Sequence, residues 1–155
     1  MNQYINKPTP AFVAASWAAL FAGAAAYGIG LFNADMLLNE KGYYLILILY
    51  GLFSSVSLQK IIRDKIEGVH VTHIYYGLCW ASVAICIALL AVGLFNANLA
   101  LSEKGFYIMA FLLSLFGAVA VQKNIRDMEY LRQHNQADHL EFKNTKSIAD
   151  SEHND

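Results

Sequence analysis

Two sets of polar residues recur along this chain at fixed spacing, and they are the places to look for chemistry. One set is Asn33, Glu40, Lys41 and Gly42, matched by Asn96, Glu103, Lys104 and Gly105. The other is Gln59, Lys60, Arg63 and Asp64, matched by Gln122, Lys123, Arg126 and Asp127. A carboxylate beside an ammonium could form a polar ring that takes an ion or a partner. It could equally build a tight turn, with Glu accepting amides at the start of the next helix, where negative charge is favoured. The second set places Lys60 four residues before Asp64 and Lys123 four before Asp127, a spacing at which helical side chains pair. Arg63 and Arg126 could reach anionic headgroups or the last carbonyls of a neighbouring helix. Two functional readings follow, a bound ion or partner at the turns and a docking site at the basic segments. Each stands against a structural one, a twice-used turn and a topology-fixing collar, and the structural readings fit better.

Other reactive side chains form no site. His70 and His73 stand three apart with Glu67 nearby, short of the three or four strong ligands a metal needs. Cys79 and Cys86 are seven apart, about 10 Å along a helix and beyond disulfide reach, so they read as small packing residues. No nucleophile–base arrangement, phosphate-binding glycine loop or buried carboxylate pair is present. No catalytic, cofactor or metal site is therefore assigned, and the chain reads as non-enzymatic. A net charge of −1 gives no basic surface for nucleic acid.

The elements that carry these residues are apolar. Charged residues are 15% of the chain and hydrophobic ones 57%, against about 25% and 45–50% in a soluble domain. Phe12–Ala34, Gly42–Gln59, Ile74–Ser102 and Gly105–Gln122 contain no Asp, Glu, Lys or Arg. Each is long enough to cross a bilayer core about 30 Å thick as a helix, and none carries a polar stripe. The first could imitate a secretory leader, with small residues at Ala24–Ala26. Its apolar run continues to Phe32, so it reads as a retained helix.

The chain is also a duplication. At an offset of 63 residues, Gly30-Leu-Phe-Asn-Ala34 falls on Gly93-Leu-Phe-Asn-Ala97, and Trp17-Ala18 falls on Trp80-Ala81. More than half the positions between Gly30 and Asp64 are identical to their counterparts. Charged residues and glycines in fixed register are not a product of composition. The fold class is thus an all-α membrane protein of four transmembrane helices, a tandem parallel duplication of a two-helix hairpin. Residues 1–10 are an N-terminal segment, 11–64 and 74–127 the repeats, 65–73 a loop, and 128–155 a polar tail. The fourth helix is expected to end near Gln136, with the remainder disordered.

Lys60, Arg63 and Lys65 in one segment, and Lys123, Arg126 and Arg132 in another, outnumber the single Lys of each short turn. By the positive-inside rule both termini and the 65–73 loop are cytoplasmic. Phe32, Tyr43, Tyr44, Phe95, Phe106 and Tyr107 mark the opposite boundary. Asn33 and Asn96 are expected to end their helices in the left-handed conformation. Gly42 and Gly105 are expected to supply a joint where the next helix begins. Ala14, Ala18, Ala22, Ala26 and Gly30 form a small-residue stripe, which makes the first helix the candidate for the bundle centre or a homo-oligomer seam.

Gly-Leu-Phe-Asn-Ala, Glu-Lys-Gly-Tyr/Phe-Tyr and Gln-Lys-x-Ile-Arg-Asp, in this order and twice over, resemble the YiaA/YiaB family of small bacterial inner-membrane proteins. The likeness covers roughly residues 10–127 and is greatest to the longer members with two units. Asp35 against Asn98 and Asn39 against Ser102 are the main polar differences between the halves. The resemblance implies the bacterial inner membrane, with the lipid bilayer as the surrounding partner, and no catalytic residues. The reading that follows is a structural, accessory or stress-related membrane protein. The alternative is a small oligomeric transporter or channel lined by Ser54, Ser55, Ser57, Gln59, Ser114 and Gln122.

Overall fold

A computed structural model describes residues 7–152. Residues 1–6 of the N-terminal segment and 153–155 of the tail lie outside it. Four helices follow one another: α1 Pro10–Asn33, α2 Leu38–Ile66, α3 His73–Asn96 and α4 Leu101–Glu152. All four are long and apolar enough to cross a membrane.

Local sequence explains their ends. Thr9 caps α1 by accepting the Phe12 amide at 3.3 Å, and Pro10 follows where its missing N–H costs nothing. Gly68 (φ 79°) terminates α2. The Val69 amide donates to the Asp64 carbonyl at 2.9 Å and the Gly68 amide to Lys65 at 3.3 Å, the paired bonds of a left-handed glycine stop. Lys65 Nζ lies 4.5 Å from the ring centre of Tyr76, joining the end of α2 to the start of α3. Helix α4 does not stop near Gln136 but runs to Glu152. Beyond Gly117 it meets no glycine or proline, and its polar residues are mostly good helix formers.

The helices pack across the repeats. Helix α1 lies against α4, α3 against α2, and α2 against α4 between them, whereas α1 barely touches α2. The row is therefore α1–α4–α2–α3, and each first helix rests on the second helix of the other repeat. The first helix is not central. Ala14, Ala18 and Ala22 of its small-residue stripe are exposed, and the packed face carries Ser16, Gly23, Tyr27 and Leu31 instead. Glycine decides that face. A Cβ on Gly23 would stand 2.7 Å from the Ser114 amide, and one on Gly117 would stand 2.6 Å from Leu20 Cα. The two backbones approach as small residues permit in lipid.

The core is aromatic at the centre. Tyr27, Tyr44, Tyr107 and Phe111 are buried together. Tyr27 meets Tyr107 edge-on at 5.5 Å and donates a 3.0 Å hydrogen bond to the Tyr44 carbonyl. Tyr44 and Tyr107 thus belong to the core rather than to a boundary belt, while Phe32 and Phe95 face outward at about 85% exposure. Phe21, Ile46, Leu49, Phe53, Leu78 and Phe116 also point away from the bundle, as lipid-facing residues do.

Candidate functional site

Helices α2 and α4 leave the apolar region side by side, and their four-residue motifs meet there. Arg63 Nη1 donates to Asp127 Oδ1 at 2.9 Å, and Arg126 Nη2 lies 3.7 Å from Asp64 Oδ1. Each repeat's Arg therefore faces the other repeat's Asp. The pairs within each helix also form: Lys123 reaches Asp127 at 2.8 Å and Lys60 reaches Asp64 at 3.9 Å. Neither Arg is turned to the carbonyls of a neighbouring helix. The reciprocal pairing is invisible in sequence because the partners are separated by 64 residues in one case and joined only by the way α2 crosses α4.

The halves of this collar differ. Asp127 is nearly buried, its side chain 9% exposed against 25% for Asp64, and its distances are about 1 Å shorter. Arg63 has a further partner, Glu67, which takes Nε at 2.6 Å. The counterpart of Glu67 is Tyr130, which offers Arg126 no carboxylate. Among the described residues, Arg126 Nε and Nη1 are buried without a partner, as are Gln59 Oε1, Gln122 Oε1 and Asn124 Oδ1. Asn124 is 1% exposed and donates to Ser16 Oγ at 3.0 Å, which in turn donates to the Phe12 carbonyl at 2.7 Å. The positions that match Asn124 and Ser16 in the other pair are Ile61 and Cys79, both buried and apolar.

The turns at the opposite end are near copies of each other. Glu40 Oε2 accepts the Leu37 amide at 2.9 Å, and Glu103 Oε2 accepts the Ala100 amide at 2.7 Å. Lys41 Nζ reaches back to the Phe32 carbonyl at 2.9 Å, and Lys104 Nζ to Phe95 at 3.4 Å. The glutamates cap α2 and α4 while the lysines cap α1 and α3. Asn33 and Asn96 do not take the left-handed conformation, since no residue other than glycine has positive φ among the described residues. Each instead donates to the carbonyl four residues back, at 3.0 and 2.8 Å. Gly42 and Gly105 lie inside their helices rather than at a joint, and a Cβ on either meets open space. Swapped packing puts Glu40 in one polar cavity of about 570 Å³ with Asn96 and Asn98, and Glu103 in another of about 340 Å³ with Asn33.

The residues of the transporter alternative are scattered. Ser54 and Ser114 are buried and donate to their own helices, at Gly51 and Ala110. Ser55 and Gln59 line a groove of about 640 Å³ between α2, α3 and α4, and Ser57 a smaller cavity of about 90 Å³ facing α3. His70 lies in the 67–72 connection and His73 opens α3. Cys79 and Cys86 are buried free thiols in the α2–α3 contact.

Known proteins resemble both halves of the chain. The yiaA/B two-helix domain matches twice, at residues 12–64 and 75–127. The chain is 58% identical over 127 residues to the inner membrane protein YiaA of Escherichia coli, covering 82% of this chain and 88% of that one. It is 40% identical over 68 residues to the uncharacterized membrane protein YubF of Bacillus subtilis, covering 43% of this chain and 78% of that one. No solved structure matches the chain significantly.

Proposed function

The chain belongs to the yiaA/B two-helix domain family, and from that premise we propose a non-enzymatic accessory protein of the bacterial inner membrane. On this reading it is a self-locked four-helix unit that works through the surfaces it offers to lipid and to further copies of itself. One observation carries the proposal. The charged residues repeated at both ends pair within the fold: Arg63 and Asp127 with each other, Glu40 and Lys41 with the ends of α2 and α1. The distribution of Lys and Arg supports a cytoplasmic position for the basic end and both termini, and the relative from Escherichia coli is named for the inner membrane.

Self-association would use the face of α1 that the bundle leaves open, Ala14, Ala18 and Ala22. Small residues there let a second backbone approach, whereas the counterparts on α3 are Gly77, Ala81 and the bulkier Ile85. Cysteine cross-linking in membranes tests this in a background without Cys79 and Cys86. Ala18→Cys should give a dimer-sized product and Ala81→Cys little. Equal products from both would remove the α1 seam. A solute flux in proteoliposomes that depends on the protein and saturates with substrate would replace the accessory reading with transport.

A further inference from the structure

The groove at the basic end lies on one side of the bundle only as far as its walls are concerned, between α2, Val83 of α3 and Val119 of α4. Its existence follows from the looser α2–α3 pair. Where α1 presents Gly23 to α4, α3 presents Cys86 to α2, and where α4 presents Gly117, α2 presents Ser54. Without the glycine pair the backbones stay farther apart, and space opens beside Ser55 and Gln59.

The groove changes character along its length. Leu58, Ile62, Val83 and Val119 make an apolar trough, while Arg63 and Lys123 stand at the rim. Arg63 uses Nε and Nη1 on Glu67 and Asp127, which leaves Nη2 for another acceptor. Lys123 makes one bond, to Asp127, and is half-exposed, so its ammonium retains donors. Among the residues that line the groove, Arg63 and Lys123 outnumber Glu67, an excess of positive charge at membrane-surface depth. Gln59 sits one helical turn below Arg63, about 5.4 Å, with its buried Oε1 unpartnered.

We infer that this groove binds one anionic glycerophospholipid, with its phosphate between Arg63 and Lys123 and an acyl chain against Leu58, Ile62, Val83 and Val119. The Gln59 amide then meets the polar glycerol region, which lies just below the phosphate in such a lipid. The charge excess selects an anionic headgroup over a zwitterionic one. The apolar trough distinguishes a lipid from a free anion, because only the lipid supplies a chain to fill it.

Purified, delipidated full-length protein should show this by native mass spectrometry and thermal unfolding in detergent. Phosphatidylglycerol should remain bound and raise Tm, with phosphatidylcholine and inorganic phosphate as comparison ligands. Lys123→Gln should weaken apparent phosphatidylglycerol affinity about fivefold, the effect of one basic residue at a charged lipid surface. Val83→Trp should fill the trough and abolish retention. Lys60→Gln, which changes the counterpart lysine outside the groove, should bind as the unaltered protein does. Circular dichroism establishes that each variant is folded before it is compared. Equal stabilisation by phosphatidylcholine, or unchanged binding in both Lys123→Gln and Val83→Trp, would overturn the site. A shift of the same size with inorganic phosphate would reduce it to an anion contact and overturn the lipid assignment.

Discussion

The α1/α4 and α3/α2 pairs occupy equivalent positions in a duplicated chain, yet they are held by different means. In the first pair, Gly23 and Gly117 bring the backbones together and Ser16 bonds Asn124 at the basic end. In the second pair, the same positions are Cys86, Ser54, Cys79 and Ile61, and the helices are joined by side chain to backbone, Cys86 Sγ donating to the Leu47 carbonyl at 3.5 Å and the Tyr43 hydroxyl to the Leu89 carbonyl at 2.6 Å. The collar is divided likewise. Arg63 has two carboxylates at 2.6 and 2.9 Å, whereas Arg126 has one at 3.7 Å. The shared register brings equivalent helices together in both pairs, and the differing side chains let one pair close while the other leaves room for a groove. The conserved register and the altered side chains therefore have separate consequences.

The comparison is best broken at the collar. Asp127→Ala removes a nearly buried carboxylate bonded to both Arg63 and Lys123 and should cost about 1.5–3 kcal/mol. Asp64→Ala removes two long, more exposed contacts and should cost no more than about 1 kcal/mol. Unfolding midpoints of the two purified proteins in detergent measure the difference, and equal losses would show that the collar is symmetric in solution.

A smaller contrast is expected at the helix contacts. Gly117→Val pushes a side chain into the backbone around Leu20 and should cost at least the 1–3 kcal/mol typical of overpacking. The counterpart change Ser54→Val removes a hydroxyl that bonds only its own helix and should cost less than half as much. Gly42→Ala and Gly105→Ala go the other way, because both residues are helical with open space at Cβ. Each should stabilise by about 0.5–1 kcal/mol, and a loss of folded yield would restore a special backbone role for them.

The smallest expected effect sharpens the comparison rather than breaking it. Tyr130→Glu copies Glu67 into the second repeat and gives Arg126 Nε a carboxylate at the spacing Arg63 enjoys. Both sites are partly exposed, so the gain should be about 0.2–1 kcal/mol and should shrink with added salt. Glu67→Gln is the reciprocal change and should lose a similar amount. A Tyr130→Glu protein no more stable than the parent would mean that Arg126 is satisfied by other means.

Much of the molecule was legible in the residues themselves. Uncharged apolar runs mark four spans, since a bilayer admits helices whose backbones bond internally. The 63-residue register marks the duplication, and Glu40 and Glu103 mark helix starts because the amides they cap lie three residues away. These are local interactions, which a linear sequence records directly. The expected roles of Asn33, Asn96, Gly42 and Gly105 missed because residue type permits a conformation without requiring it; neighbouring bonds and the helix register chose otherwise. Tertiary structure alone decided that α1 rests on α4, that Arg63 finds Asp127, and that Gln59 borders a groove. Apolar side chains that face either lipid or another helix look alike in sequence, so the pattern that places a helix in the membrane does not say which helix it will touch.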